Sequence, residues 1–196
     1  MARQERWLLL LSTILWFACS ASPPLHYYTL DTVAGSSVGG FGHAAPVWIA
    51  RVTLPQQLDR PQIVRRAGPN RLDFDEENRW AAPLSSMFTS ILAQDLANRM
   101  PPGRVIAPGQ PLPAGDVRQL TVDVITFESD LQGHVVLDAG WTLEQGAPPR
   151  VVMRRTAQIS ASAASGASAD VAAAMSQALG QLADRIAASL GGAPAG

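Results

Sequence analysis

Lysine is absent from the 196 residues, cysteine occurs once and histidine three times. A single cysteine excludes an internal disulfide, and three scattered histidines argue against a zinc site. Charge of one sign is also missing, since 15 arginines meet 16 acids for a net of −1. With no strong positive field, phosphate neutralisation cannot drive binding, so no nucleic-acid partner is expected. Long hydrophobic runs are scarce too. Trp7 to Phe17, broken only by Ser12 and Thr13, falls well short of the roughly 20 apolar residues that cross a bilayer.

That run has another use. Behind the weakly positive start Met1 to Arg6 it has the length of a signal-peptide core, and 1–18 reads as a signal peptide. Ala18-Cys19-Ser20 then resembles a bacterial lipobox, in which the cysteine is acylated and becomes the first residue of the mature chain. Trp16 and Phe17 depart from the usual Leu and small residue. Ordinary cleavage after Ser20 or Ser22 is the rival reading, and it would discard the chain's only cysteine. On the lipobox reading Cys19 is the lipid-attachment residue. Ser20 stands where an inner-membrane retention signal would usually have Asp, which by resemblance to lipoproteins generally implies the periplasmic face of the outer membrane. Two or more acyl chains suffice to hold a soluble domain there.

Residues 19–46 read as lipid attachment followed by a flexible tether with one short strand near His26 to Leu30, because 31–46 is rich in Gly, Ser and Ala. Within it Gly35-Ser36-Ser37-Val38-Gly39 matches the hydrolase elbow G-x-S-x-G. That elbow needs a helix directly after it, and Gly40-Phe41-Gly42 begins none, so the match is rejected.

A single domain is expected over 47–192, with a frayed tail at 193–196. Val47 to Leu54 alternates as a strand. A hairpin around Ala67-Gly68-Pro69-Asn70 should pair Ile63 with Phe74 on the buried side across a four-residue loop. The acids Asp73, Asp75, Glu76 and Glu77 lack the spacing of a calcium loop and read as a solvated turn. Pro83 opens a helix whose stripe is Leu84, Met87, Phe88, Ile91, Leu92 and Leu96. Three antiparallel strands follow, carrying Leu120 to Phe127 with a bulge near Val124, Val135 to Leu143, and Val151, Met153, Ala157 and Ile159. His134 reads as a solvated histidine. A last helix bears Val171, Met175, Leu179, Leu182, Ile186 and Leu190, with Asp170 near its start and Arg185 near its end. The expected fold class is α+β, an antiparallel sheet with two helices packed on one face. The other face, with Arg51, Thr53, Thr142, Arg154 and Gln158, is left free for a partner.

Tyr27-Tyr28-Thr29-Leu30, the run Leu58-Asp59-Arg60-Pro61-Gln62-Ile63-Val64-Arg65 and Trp80-Ala81-Ala82-Pro83-Leu84 at its distance carry a family likeness. The chain resembles the ABC-type transport auxiliary lipoproteins, and within them those of the paraquat-inducible (Pqi) system. The resemblance implies a non-catalytic outer-membrane lipoprotein that supports membrane integrity. Its implied partner is a mammalian-cell-entry (MCE) domain membrane protein of an ABC-type lipid transporter, with self-association into a homo-oligomer. No cofactor, metal or catalytic residue is expected, and no P-loop, H-E-x-x-H or dinucleotide fingerprint occurs. Asp59, Arg60 and Gln62 are the candidate partner-binding residues, weighed evenly against a plain turn in which Pro61 fixes the chain. Trp80 reads as a core staple. A carrier that holds acyl chains between helices and sheet is the alternative; it requires an apolar cavity of roughly 300 Å3 or more, whereas a structural subunit has a filled core.

Overall fold

Alternating apolar residues build the longest strands of the molecule. The computed structural model describes residues 23–42 and 44–191, so the signal peptide, Cys19 and the tail lie outside the described residues. In chain order the elements are β1 (His26–Tyr28), β2 (Val47–Thr53), β3 (Gln62–Gly68), β4 (Arg71–Trp80), α1 (Leu84–Arg99), β5 (Val105–Ile106), β6 (Arg118–Asp130), β7 (His134–Gln145), β8 (Arg150–Ser162) and α2 (Ser168–Gly191).

The α+β class holds, and both helices pack on one face of a single eight-stranded sheet. The sheet is mixed rather than antiparallel throughout. β3–β4, β6–β7 and β7–β8 are antiparallel, whereas β1–β4, β2–β5, β2–β6 and β3–β6 are parallel. β6 is the reason. It is long enough for β2 to pair beside Arg118 to Asp123 and for β3 to pair farther on, at Ser129 and Asp130. A chain that leaves β2 and rejoins the same neighbour in the same direction must run parallel to it twice.

Expected bulges and stripes are present. The register of β6 against β7 slips between Val124 and Thr126, which turns Ile125 outward at 62% exposure while Val124 and Phe127 stay buried. Every residue of the α2 stripe is buried. On α1 the buried residues are Leu84, Phe88, Leu92, Ala93, Asp95, Leu96 and Arg99, with Phe88 edge-on to Phe127 at 5.2 Å between ring centroids. Pro83 stands just before the helix rather than inside it.

Two register expectations fail. Only Pro69 and Asn70 separate β3 from β4, and Ile63 meets Asp75 while Val64 meets Phe74. A one-residue slip moves a side chain to the opposite face, so Phe74 is surface-exposed. In β8 a slip opposite Leu143 and Glu144 pairs Val151 with Glu144, and Val151 is exposed rather than buried.

The largest departure lies at the N-terminus. β1 is a strand of the sheet, and 31–42 is fastened across both helices rather than free. The Asp31 amide donates to Ser176 Oγ at 3.1 Å on α2, and the Val33 amide to Asp95 Oδ1 at 3.0 Å on α1. The Val38 amide donates to the Arg99 carbonyl at 2.8 Å. Leu30 and Phe41 are buried at its two ends. A side chain on Gly35 would collide with the Arg99 guanidinium, and a Cβ on Gly180 would stand 2.8 Å from Val33 Cβ. Glycine at these two places lets the strap lie flat on the helix pair. The packed unit therefore begins at β1 and not at residue 47.

Candidate docking surface

The turn from β2 to β3 is built on Leu58, which is buried at the end of a single 3-10 turn, Gln56–Leu58. From that anchor Asp59 reaches the N-terminus of α1, where no local side chain caps the helix. Ser85 donates to the Asp59 carboxylate from its amide at 3.2 Å and its hydroxyl at 3.0 Å. Asp59 is thus a long-range cap, a negative charge at the positive end of the helix. Gln62 Nε2 donates to the Glu76 carboxylate at 3.1 Å, and the Trp80 amide donates to the Pro61 carbonyl at 2.7 Å. Trp80 is buried beneath. Arg60 is exposed like Asp59 but bonded differently: among the described residues its side chain makes no hydrogen bond or ion pair, and its guanidinium lies 4.8 Å from the centroid of the Phe74 ring. The structure therefore brings the three candidates onto one turn but engages Asp59 and Gln62 internally. Of the three, Arg60 is left without a hydrogen-bonded side chain among the described residues.

The helix-free face of the sheet carries all five residues expected there. Cross-strand pairing aligns Arg51, Thr121, Thr142 and Arg154 in one row. In the next row Thr53 donates to Asp123 Oδ1 at 2.7 Å beside Gly140 and Thr156, and Gln158 lies opposite Asp138. Among the described residues no element covers this face.

Sequence reasoning missed a third feature, the charge cluster under the strap. Arg99 is fully buried. Its Nε donates to Asp184 Oδ1 at 2.5 Å, and its Nη1 donates to the carbonyls of Val33 at 3.1 Å and Asp95 at 2.9 Å. The Asp95 carboxylate, 3.3 Å from Nη1, is equally buried, and that burial raises its pKa above the ordinary carboxylate value despite the cation beside it. The Asp95–Arg99 spacing of four was legible as an ion pair; its burial under a distant strap was not. A second charged group sits where α2 begins. Asp75 accepts from Asn78 and from Ser168 Oγ, and although burial works the other way these bonds hold its pKa below the ordinary value. Arg65 donates to the same Ser168 hydroxyl at 2.7 Å. His134 is exposed beside Asp130, and among the described residues no three His, Cys, Asp or Glu gather as metal ligands do.

Space between helices and sheet is filled by Phe88, Leu92, Leu120, Phe127, Leu137, Leu143, Leu179 and Leu182, all buried. Surface troughs of about 510–680 Å3 open elsewhere. One of them, about 680 Å3, lies between the outer flank of α1 and a wall made by Val105 of β5 and the segment 107–110, with Val52 of β2 beside them. Among the described residues no helix is long and apolar enough to cross a membrane.

Comparison with known proteins gives four findings. A crystal structure of an uncharacterized protein is 19% identical with a TM-score of 0.69, covering 85% of this chain and 99% of its own. The crystal structure of protein XCC0632 from Xanthomonas campestris, of the family DUF330, is 23% identical with a TM-score of 0.67, covering 84% and 94%. These likenesses concern the fold. No curated protein sequence matches the chain. The profile of the family described as "ABC-type transport auxiliary lipoprotein component" matches residues 28–187, from β1 to near the end of α2. The chain belongs to the ABC-type transport auxiliary lipoprotein family.

Proposed function

We propose that this lipoprotein is a non-catalytic subunit of an MCE-type intermembrane lipid transport system, as in the Pqi system. It is anchored by Cys19 to the periplasmic face of the outer membrane, self-associates and supports envelope integrity. The observation that carries the docking part is the uncovered sheet face, with two arginines in one row and Arg60 displayed on the adjoining turn. Exposed arginine beside a rigid proline and an aromatic ring is suited to planar, directional contacts with a partner. A carrier that holds acyl chains inside is less well supported, because large apolar side chains occupy the space such chains would need.

Arg60→Ala tests the docking surface. Arg60 is exposed and its local contact is one cation–π pair, so the melting temperature should stay nearly unchanged. Capture of the MCE subunit, or self-assembly, should weaken. Cells carrying the variant should approach the deletion strain in sensitivity to membrane-perturbing compounds. An unfolded variant would assign Arg60 to the turn itself, and unchanged capture would remove it from the interface.

The anchor is tested separately. Mature protein from membranes should begin at Cys19 and carry diacylglycerol by intact mass, and Cys19→Ala should leave an unprocessed or soluble form. An unmodified N-terminus at Ala21 or Pro23 would show ordinary cleavage instead.

A further inference from the structure

We propose that the end of the domain carrying Leu25, Tyr27 and Leu131 rests against the zwitterionic phospholipid surface in which the Cys19 lipid is embedded. This rests on the proposed lipid attachment at Cys19 and adds which part of the domain the membrane touches.

Strand directions gather this end. β6 finishes at Asp130, and Leu131 and Gln132 stand in its turn into β7. β3 runs parallel to β6 with Arg65 and Arg66 beside Ser129 and Asp130, so the β3–β4 turn lies there too. The Ala163 amide donates to the Gly133 carbonyl at 2.9 Å, which brings the loop before α2 to the same place. β1 is parallel to β4, so the chain entering at Leu25 comes from the side of the β3–β4 turn. His26, Leu131, Gly166 and Ala167 line one surface trough of about 670 Å3, so the chain enters beside the β6–β7 turn. Leu25 and Leu131 are each 45% exposed and Tyr27 is 62% exposed. The loop beside them is uncharged from Ile159 to Ala169. Phe74 also lines the trough, but Arg60 already lies over its ring.

Isolated exposed leucines are ordinary. Here the length of the tether decides what covers them. Ser20, Ala21 and Ser22 alone separate Cys19 from Pro23, and Leu25 is six residues from the lipid. Six residues of fully extended chain reach about 22 Å at most. The headgroup layer of one leaflet takes about 5–8 Å of that span. A folded domain of about 100 residues has a radius of gyration near 13 Å, so none fits in the remaining gap. Water or lipid is left, and leucine and tyrosine side chains favour the boundary between headgroups and acyl chains. The charges nearby choose the headgroup. Arg65, Asp73, Asp75 and Glu77 line the trough; Asp73 pairs with Arg71, and Asp75 accepts from Asn78 and Ser168. Such a lining draws in no anionic surface, and a zwitterionic one meets it without repulsion.

The test reconstitutes the full-length acylated protein into vesicles of phosphatidylethanolamine and phosphatidylcholine that contain a brominated lipid as quencher. The chain's single native cysteine is the acylated Cys19, so an introduced cysteine is the only free thiol for a fluorophore. Gln132→Cys places the label beside Leu131. Val151→Cys places it at the other end of the sheet, where Val151 pairs with Glu144 and Glu144 with Gln119 near the start of β6. Gln119 and Asp130 are about 35 Å apart along the strand. The label at 132 should be quenched roughly threefold or more over the label at 151. Adding Leu131→Glu should remove about half of that quenching or more, with an unchanged melting temperature. Equal quenching at the two positions, or no loss with Leu131→Glu, would overturn the membrane contact. Quenching that appears only when anionic phosphatidylglycerol is added would overturn it as well. An unacylated Cys19 would remove the anchor and the contact together, whereas acylated protein with equal quenching removes the contact alone.

Discussion

Arg99→Ala is expected to destabilise the domain by about 3–5 kcal/mol, the range for removing one partner of a buried ion pair. Three groups lose their donor at once: the Asp184 carboxylate and the carbonyls of Val33 and Asp95. The heavier loss is at Asp95, which stays fully buried with no cation beside it. Burial already raises its pKa, so the folded state holds this proton more tightly than the unfolded chain does. The sign follows: stability contributed by the neutral form is full below the ordinary carboxylate pKa and falls as pH rises through the raised folded value. Arg99→Ala should extend that fall to higher pH, and Asp95→Asn should abolish it. Urea unfolding of both single variants and the double across pH 3 to 8 measures this, and the double should cost less than the two singles together. An unchanged urea midpoint for Arg99→Ala would mean that the strap is not fastened through this cluster.

Leu182→Ala is the second large expectation, at about 2–5 kcal/mol. Leu182 is fully buried, as are Leu137, Ala139 and Leu143 on the strand beneath α2. Removing its branched end leaves a void that such a packed surround fills poorly. Leu92→Ala on α1 should behave alike, since Leu92 is equally buried. The surface supplies the control. Ile125→Ala and Val151→Ala remove apolar side chains of similar size, but both lie outside the core because of the slips in β6 and β8. Each should stay within about 0.5 kcal/mol of the parent. Urea melts that failed to separate the two classes would mean that the strand registers are wrong.

Helix faces were legible in the sequence because their signal is local. Leu84 to Leu96 and Val171 to Leu190 repeat at three and four residues, and that spacing fixes a buried stripe before any neighbour is known. The bulge near Val124 was readable for the same reason, as a change of phase within one strand. Strand direction was not. Whether β2 runs with or against β6 depends on a pairing more than sixty residues apart in the chain, and apolar alternation is identical either way. The turn at Asp59 to Gln62 stood out in sequence, but the division of labour within it did not, because Asp59 finds its partner at Ser85 on another element. The strap was hidden by composition. Gly, Ser and Ala suggested a chain with too little apolar surface to settle, yet its fixing groups belong to Asp95, Arg99, Ser176 and Gly180. Polar and small residues on two helices offer no periodic sign of a crossing chain.

That crossing also decides how the molecule carries load. A pull applied at the N-terminus reaches β1 first, whose three pairs with β4 lie alongside it and are loaded in shear. Beyond β1 the tension enters the strap and is divided between α2 at Ser176 and α1 at Asp95 and Arg99. A domain held at its N-terminus would therefore hang by its helix pair. The row of Arg51, Thr121, Thr142 and Arg154 lies on the opposite face of the sheet, and none of its residues is among the groups that fasten the strap.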